Sequence, residues 1–507
     1  MTVTIKQAAG RTAFIVRYLS PSLLAAILAG VVASAALFVP PYVGMADNGD
    51  FSRIVYGNGL YFNAPDYNGQ FFGYFVRKYG IFHYFNEYAA LFSSQSIFIR
   101  LSLALNILLY SAADYDIRFQ AVIYVALLMA ALYLLVEGLT WRVPRKYGYA
   151  FALLAVFLFA DTGYTAYFNS FFGESVVLLM ALFMTASILL IYRKRYNDYV
   201  MLSLFAVSVL LLTTSKQQNA PVGIISAIAG LAFVYLRPKK LYRIAAVGAL
   251  SVLLLTGVAT YALIPQQFVN INQYHAMTRG PMMLSEDPEA MLETFGIDNQ
   301  FALLAGTNYY ERYTTIDVES PMLAERFYKK YGFGSLVAYY ATHPTEAIEM
   351  LDLAARHAFT IRPAAMGNYE QAAGKPFGEH TRFFTGYSML KEDLAPKTFG
   401  FIVLWICMVT GSNAPSFAAA VKSRNIRDAT KLPMLLMLIL IGLSGIAVSI
   451  IGAGDADLAK HLFLFTVMFD IVTFLAIGDL MLRKYWRQAK DAQASEAVKA
   501  VGREPII

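Results

Sequence analysis

Apolar residues in this chain gather into long runs, and most polar residues fall between the runs rather than within them. Several runs approach the length of about 20 residues that an α-helix needs to cross the hydrocarbon core of a bilayer. The runs occupy residues 21–39, 119–139, 149–160, 175–192, 199–213, 222–236, 244–264, 398–421, 432–451 and 462–482. The pattern predicts an all-α polytopic membrane protein with about ten transmembrane helices.

A further segment, residues 96–110, is apolar but short, and it contains Arg100. If this segment crossed the membrane, every basic cluster that follows it would face outward, against the positive-inside rule. We therefore predict that 96–110 is an interfacial or re-entrant helix.

Composition supports the membrane assignment. Of the 507 residues 58% are hydrophobic and 15% are charged, whereas about a quarter of the residues in soluble domains are charged. The single cysteine, Cys407, lies within an apolar run. An intrachain disulfide and a cysteine-based metal site are therefore excluded.

The net charge of +7 reflects the loops rather than a nucleic-acid surface. Clusters of lysine and arginine fall at every second boundary between apolar runs, as is typical of cytoplasmic loops. The clusters are Lys6/Arg11/Arg17, Arg142/Arg145/Lys146, Arg193/Lys194/Arg195, Arg237/Lys239/Lys240/Arg243, Lys422/Arg424/Arg427/Lys431 and Arg483/Lys484/Arg487. This spacing predicts a multi-pass membrane protein with both termini in the cytoplasm and no nucleic-acid partner.

Four parts follow from this topology. Residues 1–264 form an N-terminal transmembrane module whose first outer loop is 40–116. Residues 265–397 form an outer domain, periplasmic or extracellular, in which apolar spacing near 3.6 predicts mostly helical structure. Residues 398–482 are C-terminal transmembrane helices, and residues 483–507 are a cytoplasmic tail.

Candidate acids lie in two predicted outer turns. Asp47 and Asp50 follow the first apolar run in the stretch "ADNGDFSR", and Glu174 lies in "NSFFGES". Aspartates beside a glycine can cap a helix, bind a cation or act as a base. Glu174 could be stabilised by the dipole of the helix that follows it. These alternatives remain open at the level of the local sequence.

Two lysines stand out because the three short outer loops contain no other basic residue. They are Lys216 in "TTSKQQNAP" and Lys460 in "GAGDADLAKH". Both would neutralise an anion at the membrane surface, and we predict a lipid phosphate that also accepts hydrogen bonds from His461 and from Gln217 or Gln218. The alternative is that each lysine extends to lipid headgroups or pairs with Asp455 or Asp457.

The order of these motifs resembles the GT-C superfamily of integral-membrane glycosyltransferases. More narrowly, "DNGDF", "NSFFGE", "SKQQN" and "DADLAKHLFLF" are similar to signatures of a bacterial family of surface-glycan or S-layer-glycan hexose transferases. The resemblance implies transfer of a sugar from a polyprenyl-phosphate carrier to a glycan or lipid-linked acceptor on the outer face of the membrane. It implies a base role for Asp47 or Asp50, and we favour Asp50.

The remaining site residues follow from this chemistry. Glu174 would orient the acceptor or hold a cation, and Arg53, Asn169 and Tyr56 would contact the acceptor or the sugar. Direct displacement at C1 would invert the anomeric centre. Two or three carboxylates could hold Mg²⁺ or Mn²⁺, although the lysines already supply positive charge.

Two other functions remain open. An O-antigen-type polymerase or ligase would use arginines of the long outer loop, such as Arg312, Arg326 and Arg362. A transporter or flippase for a lipid-linked glycan would place charged residues along its helices at mid-membrane depth.

Overall fold

The computed structural model describes residues 19–82 and 92–501, with side chains given up to residue 483. The predicted N-terminal basic cluster lies outside the described residues, as do the last residues of the predicted tail, 502–507. Within the described ranges the long elements are α-helices, which confirms an all-α polytopic membrane protein.

Eight helices in the described part of the chain are long and apolar enough to cross a bilayer. They are Pro21–Phe38, Arg118–Thr140, Glu174–Arg193, Gln217–Val234, Lys240–Ala262, Phe399–Lys422, Ile426–Ala453 and Phe463–Arg483. The first shows why such a helix begins where it does. Pro21 occupies its first turn, and the Ser20 hydroxyl accepts a hydrogen bond from the Leu23 amide at 3.1 Å.

Two of the ten predicted spans are bent or short in the structure. Residues 149–160 correspond to Arg145–Phe159, which joins Thr162–Asn169 at a bend of 46°, so the pair can count as a ninth span. Residues 199–213 correspond to Asp198–Thr213, a helix of only 16 residues. Such a helix extends about 24 Å, less than the hydrocarbon core.

The segment predicted to be interfacial forms the helix Gln95–Leu109. Its 15 residues are too few to cross a bilayer core. The Ser94 hydroxyl fixes its start by donating to the Leu211 carbonyl at 2.6 Å. Its interfacial position stays a prediction.

The first loop contains a small antiparallel sheet that the hydrophobic pattern did not predict. Its strands are β1 (Leu60–Tyr61), β2 (Lys78–Ile81) and β3 (Asp114–Asp116), in the order β1-β2-β3. They are too short for an alternation of apolar and polar residues to be detectable. Tyr79 and Tyr115 of this sheet are fully buried.

The insertion between the seventh and eighth predicted spans is mostly helical, as expected. Its α-helices are Gln266–Thr278, Pro281–Leu284, Pro288–Thr294, Pro321–Arg326, Phe333–Thr342, Pro344–His357 and Gly386–Leu394, and its 3₁₀ helices are Asn299–Leu304, Tyr328–Lys330 and Gln371–Ala373. Phe301, Leu323 and Phe327 belong to its own apolar core. Arg279 pairs with Asp455 at 2.6 Å and so joins the insertion to the loop that precedes the last helix.

The basic clusters gather at one end of the helix bundle, which we call the basic end. There Asp198 pairs with Arg237 at 2.6 Å and with Arg427 at 3.3 Å, and Glu137 pairs with Arg195 at 2.8 Å. Lys216 and Lys460 lie at the other end, because Lys216 follows the helix that begins at Asp198, and Lys460 precedes the helix that ends at Arg483. The predicted loops therefore sort into two sets, as the positive-inside rule requires.

The orientation of these two ends is testable by cysteine labelling in a Cys407→Ser background. A membrane-impermeant maleimide should label Tyr313→Cys in intact cells, because Tyr313 is highly exposed on the insertion. Lys239→Cys, exposed at the basic end, should be labelled only after permeabilisation. Labelling of Lys239→Cys in intact cells would reverse the predicted topology.

Candidate functional site

A cavity of about 300 Å³ opens at the end of the bundle opposite the basic end. Residues from eight separate stretches of the chain line it. The charged and polar lining includes Asp50, Arg53, Gln95, Lys216, Gln217, Gln218, Lys460 and His461. The apolar lining includes Phe171, Phe172, Tyr261, Ile264, Phe268, Phe333, Val448 and Ile451. Six of the ten predicted site residues thus meet in one cavity with an apolar wall.

Asp50 is the predicted acid that faces this cavity. Its carboxylate pairs with Lys460 and lies 3.1 Å from Nη2 of Arg53, and its side chain remains 28% exposed. It does not cap the short helix Ser52–Val55, whose N-cap residue is Phe51. Asp50 is therefore an accessible carboxylate held between two cations.

Asp47 has a structural position. Its Oδ1 accepts hydrogen bonds from the amides of Gly49 at 2.8 Å and Phe51 at 3.1 Å, and its Oδ2 accepts one from the Tyr67 hydroxyl. Gly49 adopts a positive φ of 102°, which a residue with a Cβ would rarely tolerate. Burial raises the pKa of Asp47, although these hydrogen bonds favour its charged form. Asp47 closes the turn that presents Asp50.

Lys460 is the most buried cation of the cavity, with only 5% of its side chain exposed. Its ammonium contacts Asp50, lies 3.3 Å from Oδ1 of Asn48 and sits 4.6 Å above the Phe172 ring. Burial lowers its pKa to about 7, and the negative charge of Asp47 opposes this shift. Of the two acids named as alternative partners, Asp457 lies 3.9 Å from the Lys460 ammonium, but Asp50 is the carboxylate that contacts it directly.

Lys216 forms the second ion pair of the cavity, with Glu174. Glu174 is the first residue of its helix, as the helix-dipole alternative requires, and it is fully buried. Its Oε1 contacts Lys216, whereas its Oε2 has no hydrogen-bond partner among the described residues. Glu174 therefore positions Lys216 from below the cavity surface.

Two hydrogen bonds join His461 and Gln218. The Gln218 amide nitrogen donates to the His461 backbone carbonyl at 3.1 Å, and its Oε1 lies 2.8 Å from Nδ1 of His461. Burial and the nearby lysines lower the pKa of His461 well below its usual value. Gln217, which we had predicted to bond the phosphate, donates instead to the Phe92 carbonyl at 3.3 Å.

Arg53 of the first loop connects the cavity to the insertion. The Arg53 guanidinium donates to the Tyr310 hydroxyl at 3.0 Å and lies 5.3 Å from the centre of the Phe268 ring. Tyr310 and Phe268 both belong to the insertion. The first loop and the insertion therefore enclose the cavity together.

Phe51 connects the two acidic motifs. Its side chain is buried, and the centre of its ring lies 4.6 Å from that of Phe172 and 5.5 Å from that of Phe171. These two residues belong to "NSFFGES", which precedes Glu174. Aromatic packing therefore holds Asp50 and Glu174 on either side of one cavity.

Two predicted site residues lie elsewhere. Asn169 is buried, and its amide donates to the carbonyls of Val43 at 2.7 Å and Leu37 at 3.2 Å. Tyr56 packs against Phe62 and is absent from the cavity lining. Neither placement supports contact with an acceptor in this cavity.

The acids do not converge as metal ligands. No group of three or more His, Cys, Asp or Glu side chains is placed to hold a metal ion in the parts of the chain that the structure describes. Asp47 is engaged by amides and Tyr67, and Asp50 and Glu174 are engaged by lysines. The arrangement does not fit Mg²⁺ or Mn²⁺, and we derive no step through a metal.

Sequence reasoning missed a buried ion pair between the insertion and the last helix. Lys391, from Gly386–Leu394, contacts Asp470 at 2.6 Å, and the Tyr164 hydroxyl donates to the same carboxylate at 2.5 Å. Asp470 lies about 10 Å along its helix from Phe463. The available signal was an acid in the interior of an apolar span, since the other acid of this span, Asp479, lies near its end.

The fold and the cavity together define a multi-pass helical membrane protein with a charged cavity at one end of its bundle. The chain belongs to the family described as YfdI N-terminal transmembrane domain, which it matches over residues 5–498. No protein with a curated function matches the sequence.

Two solved structures resemble the fold. One is the crystal structure of the Archaeoglobus fulgidus oligosaccharyltransferase tethered to an acceptor peptide containing the NVT sequon, with 13% identity, a TM-score of 0.38 and coverage of 91% of this chain and 50% of that chain. The other is the oligosaccharyltransferase AglB from Archaeoglobus fulgidus in complex with an inhibitory peptide and a dolichol-phosphate, with 13% identity, a TM-score of 0.39 and coverage of 94% and 52%. The chain spans about half the length of these proteins.

Proposed function

We propose that this protein is a membrane glycosyltransferase of the GT-C type. It transfers a sugar from a polyprenyl-phosphate carrier to a glycan or lipid-linked acceptor, on the outer face of a bacterial cytoplasmic membrane. The observation that supports this most directly is the pairing of Lys460 and Lys216 with carboxylates beside an apolar wall. A polyprenyl phosphate combines the same two properties, an anion and an apolar chain.

The Asp50 carboxylate occupies a position that a phosphate oxygen would take. A donor phosphate entering the cavity would compete with Asp50 for the Lys460 ammonium and would contact Lys216 while Glu174 holds that lysine from below the cavity surface. The apolar wall, which includes Tyr261, Ile264 and Val448, would lie along the prenyl chain. Donor binding therefore releases the carboxylate of Asp50.

The released carboxylate then serves as the base. Asp50 accepts the proton of the acceptor hydroxyl as its oxygen attacks C1, and the bond between C1 and the phosphate oxygen breaks. The departing polyprenyl phosphate keeps the electron pair, and Lys460 and Lys216 neutralise its charge. A leaving phosphate needs no general acid. Direct displacement inverts the anomeric centre.

The arginines that the polymerase or ligase alternative requires are placed elsewhere. Arg326 is exposed and lies 3.4 Å from Asp298, and Arg362 is engaged by Asn368 at 2.6 Å. Neither lines the cavity. The transporter alternative requires charged residues within the helices. Asp470 is such a residue, but its charge is neutralised within the protein by Lys391. Both observations favour the glycosyltransferase, and the narrower resemblance to S-layer-glycan hexose transferases stays a prediction.

A deletion strain tests the activity itself. Complementation with the wild-type gene should restore one sugar on a surface glycan or lipid-linked glycan, detected by mass spectrometry, and the mass difference would identify the sugar and the acceptor. Identical glycans in the deleted and complemented strains would contradict the proposed function.

Lys460→Ala should weaken binding of farnesyl phosphate by about 10- to 100-fold, because a charge-assisted hydrogen bond worth about 1.5–3 kcal/mol is lost. Lys397→Ala, which removes an exposed lysine of the insertion, is the matched control and should bind like the wild type. Farnesol, which lacks the phosphate, should bind equally weakly to all three proteins. Equal affinity of the wild type and Lys460→Ala for farnesyl phosphate would show that Lys460 does not contact the phosphate.

A further inference from the structure

We infer that His461 binds a sugar hydroxyl group, accepting its hydrogen bond at Nε2, and does not bind the donor phosphate. This inference rests on the proposed function and replaces our prediction that His461 donates to the phosphate. The ligand class is a hydroxyl of the donor sugar or of the acceptor sugar.

Gln218 determines which ring nitrogen of His461 carries the proton. Its amide nitrogen donates to the His461 backbone carbonyl at 3.1 Å, so its Oε1 must be the atom 2.8 Å from Nδ1. The opposite amide orientation would place Oε1 against the carbonyl oxygen, and two acceptors would then face each other. Because Oε1 can only accept, Nδ1 is the protonated nitrogen.

The surroundings keep the ring neutral. The charged groups that act on it include Lys216, Lys460 and Arg53, and His275 is also close. These groups and burial both disfavour a second proton, and they lower the pKa of His461 well below its usual value. Nε2 therefore presents a lone pair and has no hydrogen-bond partner among the described residues.

The position of His461 then decides what its lone pair can bind. His461 lines the cavity beside Lys460, which we assign to the phosphate. A lone pair repels the oxygens of a phosphate diester, which carry no proton, but it accepts from an O–H group. In a cavity that joins a sugar to an acceptor, the available O–H groups belong to sugars.

The protonation of His461 can be measured directly on the full-length protein. Nitrogen-15 NMR of the histidine-labelled protein, with the His461 signals assigned by their loss in His461→Asn, should show a protonated Nδ1 and an unprotonated Nε2 at pH 7, with and without farnesyl phosphate. A protonated Nε2 would overturn the inference.

Binding measurements distinguish whether His461 contacts a sugar hydroxyl or the donor phosphate. His461→Asn keeps an N–H for Gln218 but has no group at the place of Nε2. It should bind farnesyl phosphate within about two-fold of the wild type, and it should lower sugar transfer in the complemented strain by about ten-fold, as expected for one lost hydrogen bond. A loss of farnesyl phosphate binding as large as that of Lys460→Ala, or unchanged transfer, would overturn the inference.

A third measurement identifies which sugar supplies the hydroxyl. If the donor supplies it, His461→Asn should bind farnesyl-phosphate glucose more weakly than the wild type does. If the acceptor supplies it, binding of this probe should be unchanged. Failure of the wild type to bind farnesyl phosphate would contradict the proposed function, whereas normal binding with a protonated Nε2 would contradict only the role of His461.

Discussion

Replacing Asp50 by asparagine is expected to lower turnover by about 10²- to 10⁴-fold, the usual contribution of a general base. The amide has nearly the size of the carboxylate and can still accept a hydrogen bond from Arg53, but it cannot take the proton of the acceptor hydroxyl. The rate of glycan modification in membranes from complemented strains measures the effect. Binding of farnesyl phosphate should be retained, because the phosphate no longer competes with Asp50 for Lys460.

Two further variants distinguish loss of the base from a general disturbance of the first loop. Asp114→Asn changes an acid of the same loop whose carboxylate, among the described residues, accepts only a long hydrogen bond from Asn63 at 3.4 Å, and the turnover of this variant should equal that of the wild type. Asp47→Asn weakens the turn beneath Asp50, so it should lower the melting temperature more than Asp50→Asn does and reduce turnover less. Near-normal turnover of Asp50→Asn would remove Asp50 from the mechanism.

Replacing Asp470 by asparagine should destabilise the protein by about 3–5 kcal/mol, because it leaves the buried ammonium of Lys391 without a counter-charge. The Tyr164 hydroxyl also loses its charged acceptor. Thermal unfolding of the purified protein in detergent, followed by circular dichroism, measures the loss.

The double variant Asp470→Asn/Lys391→Met provides the internal check. It removes both charges and should recover much of the lost stability, since the cost lies in the unpaired charge rather than in the absent pair. Glu325→Gln breaks an exposed ion pair with Lys329 and should cost less than about 1 kcal/mol. If Asp470→Asn were no more harmful than Glu325→Gln, the Lys391–Asp470 pair would not hold the insertion to the last helix.

The buried pair also clarifies how the cavity is kept in shape. Gly386–Leu394 belongs to the insertion, and Lys391 anchors it on Phe463–Arg483, the helix that follows Lys460 and His461. Arg279 anchors the insertion at a second point, because it pairs with Asp455 in the segment that precedes Lys460 and His461. The stability of the insertion and the geometry of Lys460 and His461 in the cavity are therefore coupled through one helix and the residues that precede it.

The sequence by itself determined the helices, because burial in a bilayer requires long apolar runs that can be read locally. The alternation of basic clusters determined which loops share an end of the bundle. That reasoning selected Asp50, Arg53, Lys216, Gln217, Lys460 and His461, all of which line one cavity. It succeeded because charged groups are rare near apolar runs, and each one is therefore informative.

Only the tertiary structure decided how those residues are used. Asp47 and Asp50 look equivalent in the sequence, yet one is held by backbone amides and the other pairs with Lys460, which is 410 positions away. Lys391 and Asp470 are likewise 79 positions apart. Such pairings depend on which helices pack together and on where a loop crosses them, and the local periodicity of a sequence contains neither. The tertiary packing therefore determines that Asp50 is accessible and Asp47 is buried.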